Sequence, residues 1–100
     1  MTKCEFFTEQ DRITGFSVSG HSGYAEAGSD IVCAAISAAV SLAECTINDV
    51  CGGKAKVRVK DDDARITLTL PTSCDEEDAV QAVLAGMLLT LAGMRDDYPD

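Results

Sequence analysis

Apolar and polar positions along the chain divide it into short alternating runs and two long helical ones. Cys4-Glu5-Phe6-Phe7-Thr8-Glu9-Gln10 reads as a strand, Asp11-Arg12 as a turn, and Ile13-Thr14-Gly15-Phe16-Ser17-Val18-Ser19 as the returning strand. Phe16 and Val18 share a face, and Gly15 marks a bulge or the close approach of another strand. This hairpin delivers Gly20 and His21 to the edge of a sheet. The period then lengthens. Ile31, Ala35, Ala38, Leu42 and Cys45 form one apolar stripe at helical spacing, and Ile36, Val40, Ala43, Ile47 and Val50 form a second beside it. Together they predict a helix from Ser29 to about Val50, with an apolar face broad enough to need a sheet and another helix, or a partner subunit, to cover it. Gly52-Gly53 supplies the left-handed cap that ends it.

Lys54-Ala55-Lys56-Val57-Arg58-Val59-Lys60 alternates basic and apolar residues, the pattern of a strand with one wet face. Asp61-Asp62-Asp63 makes the turn, and Ala64-Arg65-Ile66-Thr67-Leu68-Thr69-Leu70 returns with Ile66, Leu68 and Leu70 inward. Pro71 ends that strand. Ser73-Cys74-Asp75-Glu76 matches a capping box, which predicts a second helix from near Cys74 to about Arg95 through Val80, Val83, Leu84, Met87, Leu88 and Leu91. An acidic tail follows. The order β-β-α-β-β-α predicts an α+β fold: a two-layer sandwich with an antiparallel four-stranded sheet and two helices on one face, all within a single domain, residues 1–100.

Composition narrows the function. Eight basic against seventeen acidic residues leave a formal net charge of −9, which disfavours direct nucleic-acid binding and suits a basic protein or peptide partner. The basic teeth of the third strand read as guards of an exposed sheet face. Five cysteines, Cys4, Cys33, Cys45, Cys51 and Cys74, include no C-x-x-C pair, and one histidine leaves little from which to build a zinc site. No metal or other cofactor is expected. The odd count and the absence of a leader pattern point to a reduced, cytoplasmic setting. Ala79 to Met94, the most apolar run, is interrupted by Gln81, Gly86, Thr90 and Gly93, and reads as a buried helix, with no membrane partner.

The chemistry concentrates between Gly20 and Ala38. Gly20, Gly23 and Gly28 give a supple loop around His21, Ser22 and Tyr24; Ser29 then serves as N-cap, placing Asp30 in the first turn and Cys33 just behind it. The electropositive end of a helix favours a thiolate. A thiol, a base and free backbone donors are the parts of a cysteine nucleophile. Cysteine is also among the most buried residue types, and the residues alone leave both readings open. Cys74, the internal rival, also begins a helix, but it has no glycine loop and acids follow it at once.

Gly20-His21-Ser22-Gly23-Tyr24-Ala25, followed by Gly28-Ser29-Asp30-Ile31-Val32-Cys33-Ala34-Ala35-Ile36-Ser37, resembles the signature of the ribosomal-processing cysteine protease family, the Prp-type bacterial proteins. The likeness extends along nearly the whole chain. It implies the same two-layer fold, a homodimer, and a catalytic pair of Cys33 and His21 acting through a thioester. Asp30 and Ser37 match supporting positions, and the loop from Gly20 to Gly28 matches one that gates the substrate. The implied substrate is the N-terminal extension of large-subunit ribosomal protein twenty-seven, read as a short hydrophobic and glutamine-containing sequence. Two rivals stand beside this reading. One is a non-catalytic ribosome-associated binding module in which Cys33 packs in the core. The other is a cysteine phosphatase, which would need an arginine shortly after Cys33; Ala34 to Leu42 contains none.

Overall fold

The computed structural model describes residues 3–19, 29–60, 62 and 64–97, with the side chains of 29–33 and 95–97 outside that description. Strands β1 (Lys3–Glu9) and β2 (Arg12–Ser19) form the first hairpin. Helix α1 (Ser29–Cys45) runs into a single π-helical segment, Thr46–Val50, and β3 (Lys56–Lys60), β4 (Arg65–Thr69) and α2 (Glu77–Asp97) complete the order. All strand pairs are antiparallel in the order β1-β2-β4-β3, so β2 and β4 occupy the middle.

Alternation decides the layers. The register sets Phe6 opposite Phe16, Phe16 opposite Leu68, and Leu68 opposite Val57, so these residues share one face of the sheet. Both helices cover that face. Phe16, Val18 and Leu68 pack with Ile36, Val40, Ala43 and Ile47 of the first helical segment and with Val80, Leu84, Met87 and Leu91 of α2. Glu77–Met94 has the length and hydropathy to cross a membrane, yet Val80 and Leu84 are wholly enclosed in this core. Val80, Leu84, Met87 and Leu91 bury one face of it against the sheet and α1, whereas the rest of its described side chains are half-buried or exposed, so the expected buried helix is buried along one stripe only. On the other face Ser17 is 2% exposed, and its hydroxyl accepts from Arg65 Nη1 at 3.0 Å and from Thr67 Oγ1 at 3.3 Å. Lys56, Arg58 and Lys60 stand exposed on that side, as the alternation of β3 requires.

Side-chain amides close the backbone where the ladder ends. Pairing of β2 with β4 covers Gly15 to Val18, which leaves Ile13 beyond it. Gln81 of α2 takes the place of a strand there: its Oε1 accepts from Ile13 N at 2.8 Å and its Nε2 donates to Ile13 O at 2.8 Å. Asn48 does the same for Ala55, accepting from its N–H at 2.7 Å and donating to its carbonyl at 3.1 Å. Arg12 bridges β2 to α2 through Glu77 Oε2 at 2.6 Å and donates to Pro71 O at 2.8 Å. Each pairing satisfies groups that would otherwise cost roughly 1–3 kcal/mol apiece when buried.

The structure corrects one expectation and divides another. The capping-box pattern Ser73–Glu76 places the start of the second helix near Cys74, but α2 begins at Glu77. Glu76 has φ 54°, outside the right-handed helical region, and its carbonyl accepts from Val80 N at 3.0 Å, so Glu76 is the entry residue instead. The two apolar stripes of α1 also part company. Ile36, Val40, Ala43 and Ile47 are buried, whereas Ala35, Ala38, Cys45 and Leu42, the last 69% exposed, face outward, as does Val50. A two-layer fold of this size has one sheet and one neighbouring helix to offer α1, and these cover one stripe.

Candidate active site

Strand β2 ends at Ser19 and α1 begins at Ser29, so the strand and the helix hold the two ends of the segment that carries the imidazole. His21, with Gly20, Ser22, Gly23, Tyr24 and Gly28, lies outside the described residues. Cys33 is the fifth residue of α1 and Asp30 the second, so the backbone of both is helical; their side chains lie outside the description. Ser37 is described and half-buried, one turn beyond Cys33 on the same helix. Three of the four candidate catalytic and supporting residues therefore sit on the first half of α1. The fourth follows the end of β2 by two residues.

A cavity of about 360 Å³ opens beside Ser37. Its walls come from three directions: Ser37 and Val40 from α1, Val18 from β2, and Val59 and Ile66 from the β3–β4 hairpin. It lies between α1 and the end of the β3–β4 hairpin, where β3 is covered at Val57 but not at Val59. Val59 is on the helix side of the sheet opposite Ile66, yet it stays 66% exposed. Sequence reasoning treated these valines and Ile66 as core or strand residues. The alternation placed them on the correct face but carried no signal of how far α1 reaches across it.

Three of the four thiols with described side chains, Cys4, Cys45 and Cys74, are poor nucleophiles. Burial pushes the Cys74 thiol up, and its hydrogen bond to Glu77 Oε1 at 3.0 Å pushes it further. Partial burial raises Cys4. Cys45 is exposed, but a hydrogen bond with Asp49 holds its proton on. Raised thiols carry little thiolate at neutral pH. Cys33 is the cysteine placed early in a long helix, ahead of the apolar groove.

The class of protein is given by comparison with known proteins: it is a cysteine protease. The family model described as Cysteine protease Prp matches residues 1–100, and the chain belongs to that family. The Ribosomal processing cysteine protease Prp of Bacillus subtilis (strain 168) is 30% identical over 90 residues, covering 88% of this chain and 80% of that protein. Among solved structures, the essential ribosomal processing protease Prp from S. aureus in complex with a substrate peptide superposes with a TM-score of 0.87 at 21% identity, over 100% of this chain and 93% of that one. The same S. aureus protease with a covalently linked product peptide gives 0.81 at 22% identity, with the same coverage. At these identities the structural likeness establishes the shared fold.

Proposed function

We propose that the chain cuts the N-terminal extension from large-subunit ribosomal protein twenty-seven, using Cys33 as nucleophile and His21 as its acid and base. The observation that carries this reading is the family match across the full chain, together with the placement of Cys33 in the opening turns of α1. His21 takes the Cys33 proton, and the thiolate attacks the scissile carbonyl to form a tetrahedral intermediate. The C–N bond breaks as the imidazolium returns its proton to the leaving amine. Water, deprotonated by His21, then attacks the thioester and regenerates the thiol. Backbone N–H groups at the start of a helix are suited to the oxyanion. Asp30 orients His21 or the loop backbone, and Ser37 supports the sulfur from one turn away. An enzyme of net charge −9 suits a basic ribosomal substrate. The outward stripe of α1 from Ala35 to Cys45 has one carboxylate, Glu44, at its far end, which supports pairing into a homodimer that this net charge would otherwise oppose. Four free thiols among the described residues accord with a cytoplasmic setting.

The test is mass spectrometry of the extended ribosomal precursor incubated with the parent chain, Cys33→Ala or His21→Ala, with circular dichroism to verify that each variant is folded. The parent is expected to release one N-terminal peptide, and both variants to release none. Processing by folded Cys33→Ala at the parent's rate would dismiss the mechanism.

A further inference from the structure

We propose that the face of the sheet turned away from both helices binds a single-stranded nucleic acid, with Lys56, Arg58 and Lys60 holding phosphates and Phe7 stacking under a base. The net charge of −9, which taken alone disfavours such a partner, conceals a separation. The register brings Lys3 and Glu5 of β1, Arg65 of β4, and Lys56, Arg58 and Lys60 of β3 to this face. Five of the chain's eight basic residues thus stand there beside a single acid. Lys56, Arg58 and Lys60 are exposed and follow one another at ~6.8 Å, two residues of strand. Among the described residues none of the three makes an ion pair. Guarding the edge of the sheet accounts for the cations of β3. It does not account for Arg65, which stands on an inner strand and donates to Ser17 Oγ at 3.0 Å. Nor does it account for Phe7, an aromatic 43% exposed on the same face. Gly15 lies opposite Phe7 and raises no side chain beside the ring, which leaves it open to a planar group.

A row of cations together with an exposed aromatic is what single strands use: phosphates follow the charges, and bases stack on the ring. An acidic protein would satisfy the cations and leave Phe7 idle, and a duplex offers no free base face. Phe7 and Lys56 stand on opposite edge strands, three strand spacings or ~14 Å apart, so several nucleotides cross the sheet between them. Glu44, Asp49 and Asp78 belong to the helical layer, behind the sheet and its core. At physiological salt, charges farther apart than ~8 Å are largely screened, so those acids slow encounter without cancelling contact at this face. The proposal is independent of the chemistry assigned to Cys33.

The experiment is fluorescence anisotropy of the full chain with a labelled, mixed-sequence RNA strand of about twelve nucleotides, and with the same sequence as DNA to distinguish the source of the strand. The parent should bind with Kd in the range of about 1–100 μM. Three phosphate contacts on a single strand predict that log K falls with log salt at a slope of about −2. Lys56→Gln and Arg58→Gln should each weaken binding and make the slope shallower by ~0.7. Phe7→Leu should weaken binding about fivefold or more and leave the slope unchanged. Circular dichroism verifies that each variant is folded. No binding of either strand, or parental affinity in both Lys56→Gln and Arg58→Gln, would overturn the proposal. Polyglutamate competing as well as the strand would overturn it in favour of an acidic protein partner. Duplex RNA bound more tightly than the single strand would overturn it by removing the role of Phe7. None of these outcomes bears on cleavage by Cys33, which the precursor assay tests separately.

Discussion

Gly15 offers the sharpest test of how the central strands are held. It lies opposite Phe7 on one side and Thr69 on the other, at the irregularity where the β1–β2 register shifts between Phe7 and Thr8. A Cβ added there would overlap Leu68 O outright and come within 3.2 Å of Leu68 C and 3.3 Å of Thr69 Cα. These are backbone atoms in the middle of a sheet, so no rotamer change relieves the clash, and β2 and β4 must move apart. Overpacking of this kind costs ~1–3 kcal/mol, and each ladder hydrogen bond stretched adds ~1 kcal/mol. The lower chain entropy of alanine returns ~0.5–1 kcal/mol. Gly15→Ala should thus lose about 2–3 kcal/mol, which for a chain of this length lowers Tm by roughly 10–20 °C. Gly86→Ala is the internal comparison. That position is exposed in the middle of α2 with no atom within 4 Å of an added Cβ, so the helix propensity of alanine should raise stability by ~0.8–1 kcal/mol. Urea unfolding followed by circular dichroism reads both, with midpoints moving in opposite directions. Equal stability of Gly15→Ala and the parent would refute the close approach of β4, and a loss in Gly86→Ala would refute the open setting of α2.

Two further outcomes follow from the charged and thiol groups. Arg12, by hydrogen bonding first and then by its charge, holds the Glu77 carboxyl at about 2 against an ordinary 4.5. A depressed carboxyl contributes stability above its unfolded value and loses it as pH falls through the folded one. The Tm gap between the parent and Arg12→Met should be a few degrees at pH 6 and narrow as pH falls toward 2, leaving the part due to the Pro71 hydrogen bond; a gap of the same size at pH 6 and pH 2 would show that the ion pair is not its source. Cys45 is exposed, yet its bond with Asp49 raises the thiol. Asp49→Asn should speed iodoacetamide labelling of Cys45 severalfold at pH 8, measured by peptide mass spectrometry, and an unchanged rate would discard the bond.

How much was legible in the sequence varies with the range of the cause. Alternation at Phe16, Val18, Ile66 and Leu68 is a property of the strand itself, and it placed the core face correctly. Gly15 was legible as a bulge or a close approach, and it is both. The start of α2 was not, because a local S-x-x-E match carries no information on the left-handed turn at Glu76. The outward half of α1 was legible only as an apolar stripe in need of a neighbour: periodicity reports that a residue is apolar, and does not say whether a sheet, a helix or a partner subunit covers it. The candidate catalytic pair was readable from one continuous motif. The groove beside it was not, since its walls are drawn from residues 18, 40, 59 and 66 and exist only once three elements have docked.

The Gln81 clasp on Ile13 has a bearing on how the chain is made. Strand β2 borrows one neighbour from residues 65–69 and two side-chain anchors from Glu77 and Gln81, all of them later in the chain than α1. A nascent chain that has emerged only as far as residue 60 holds the hairpin and α1 but lacks the strand that pairs with β2 and the side chains that clasp it. Cys33 and His21, the proposed nucleophile and base, both precede the strand and helix that lock β2 in place. The framework on which the proposed site rests is therefore completed only once residues 65–81 have been made and docked on β2.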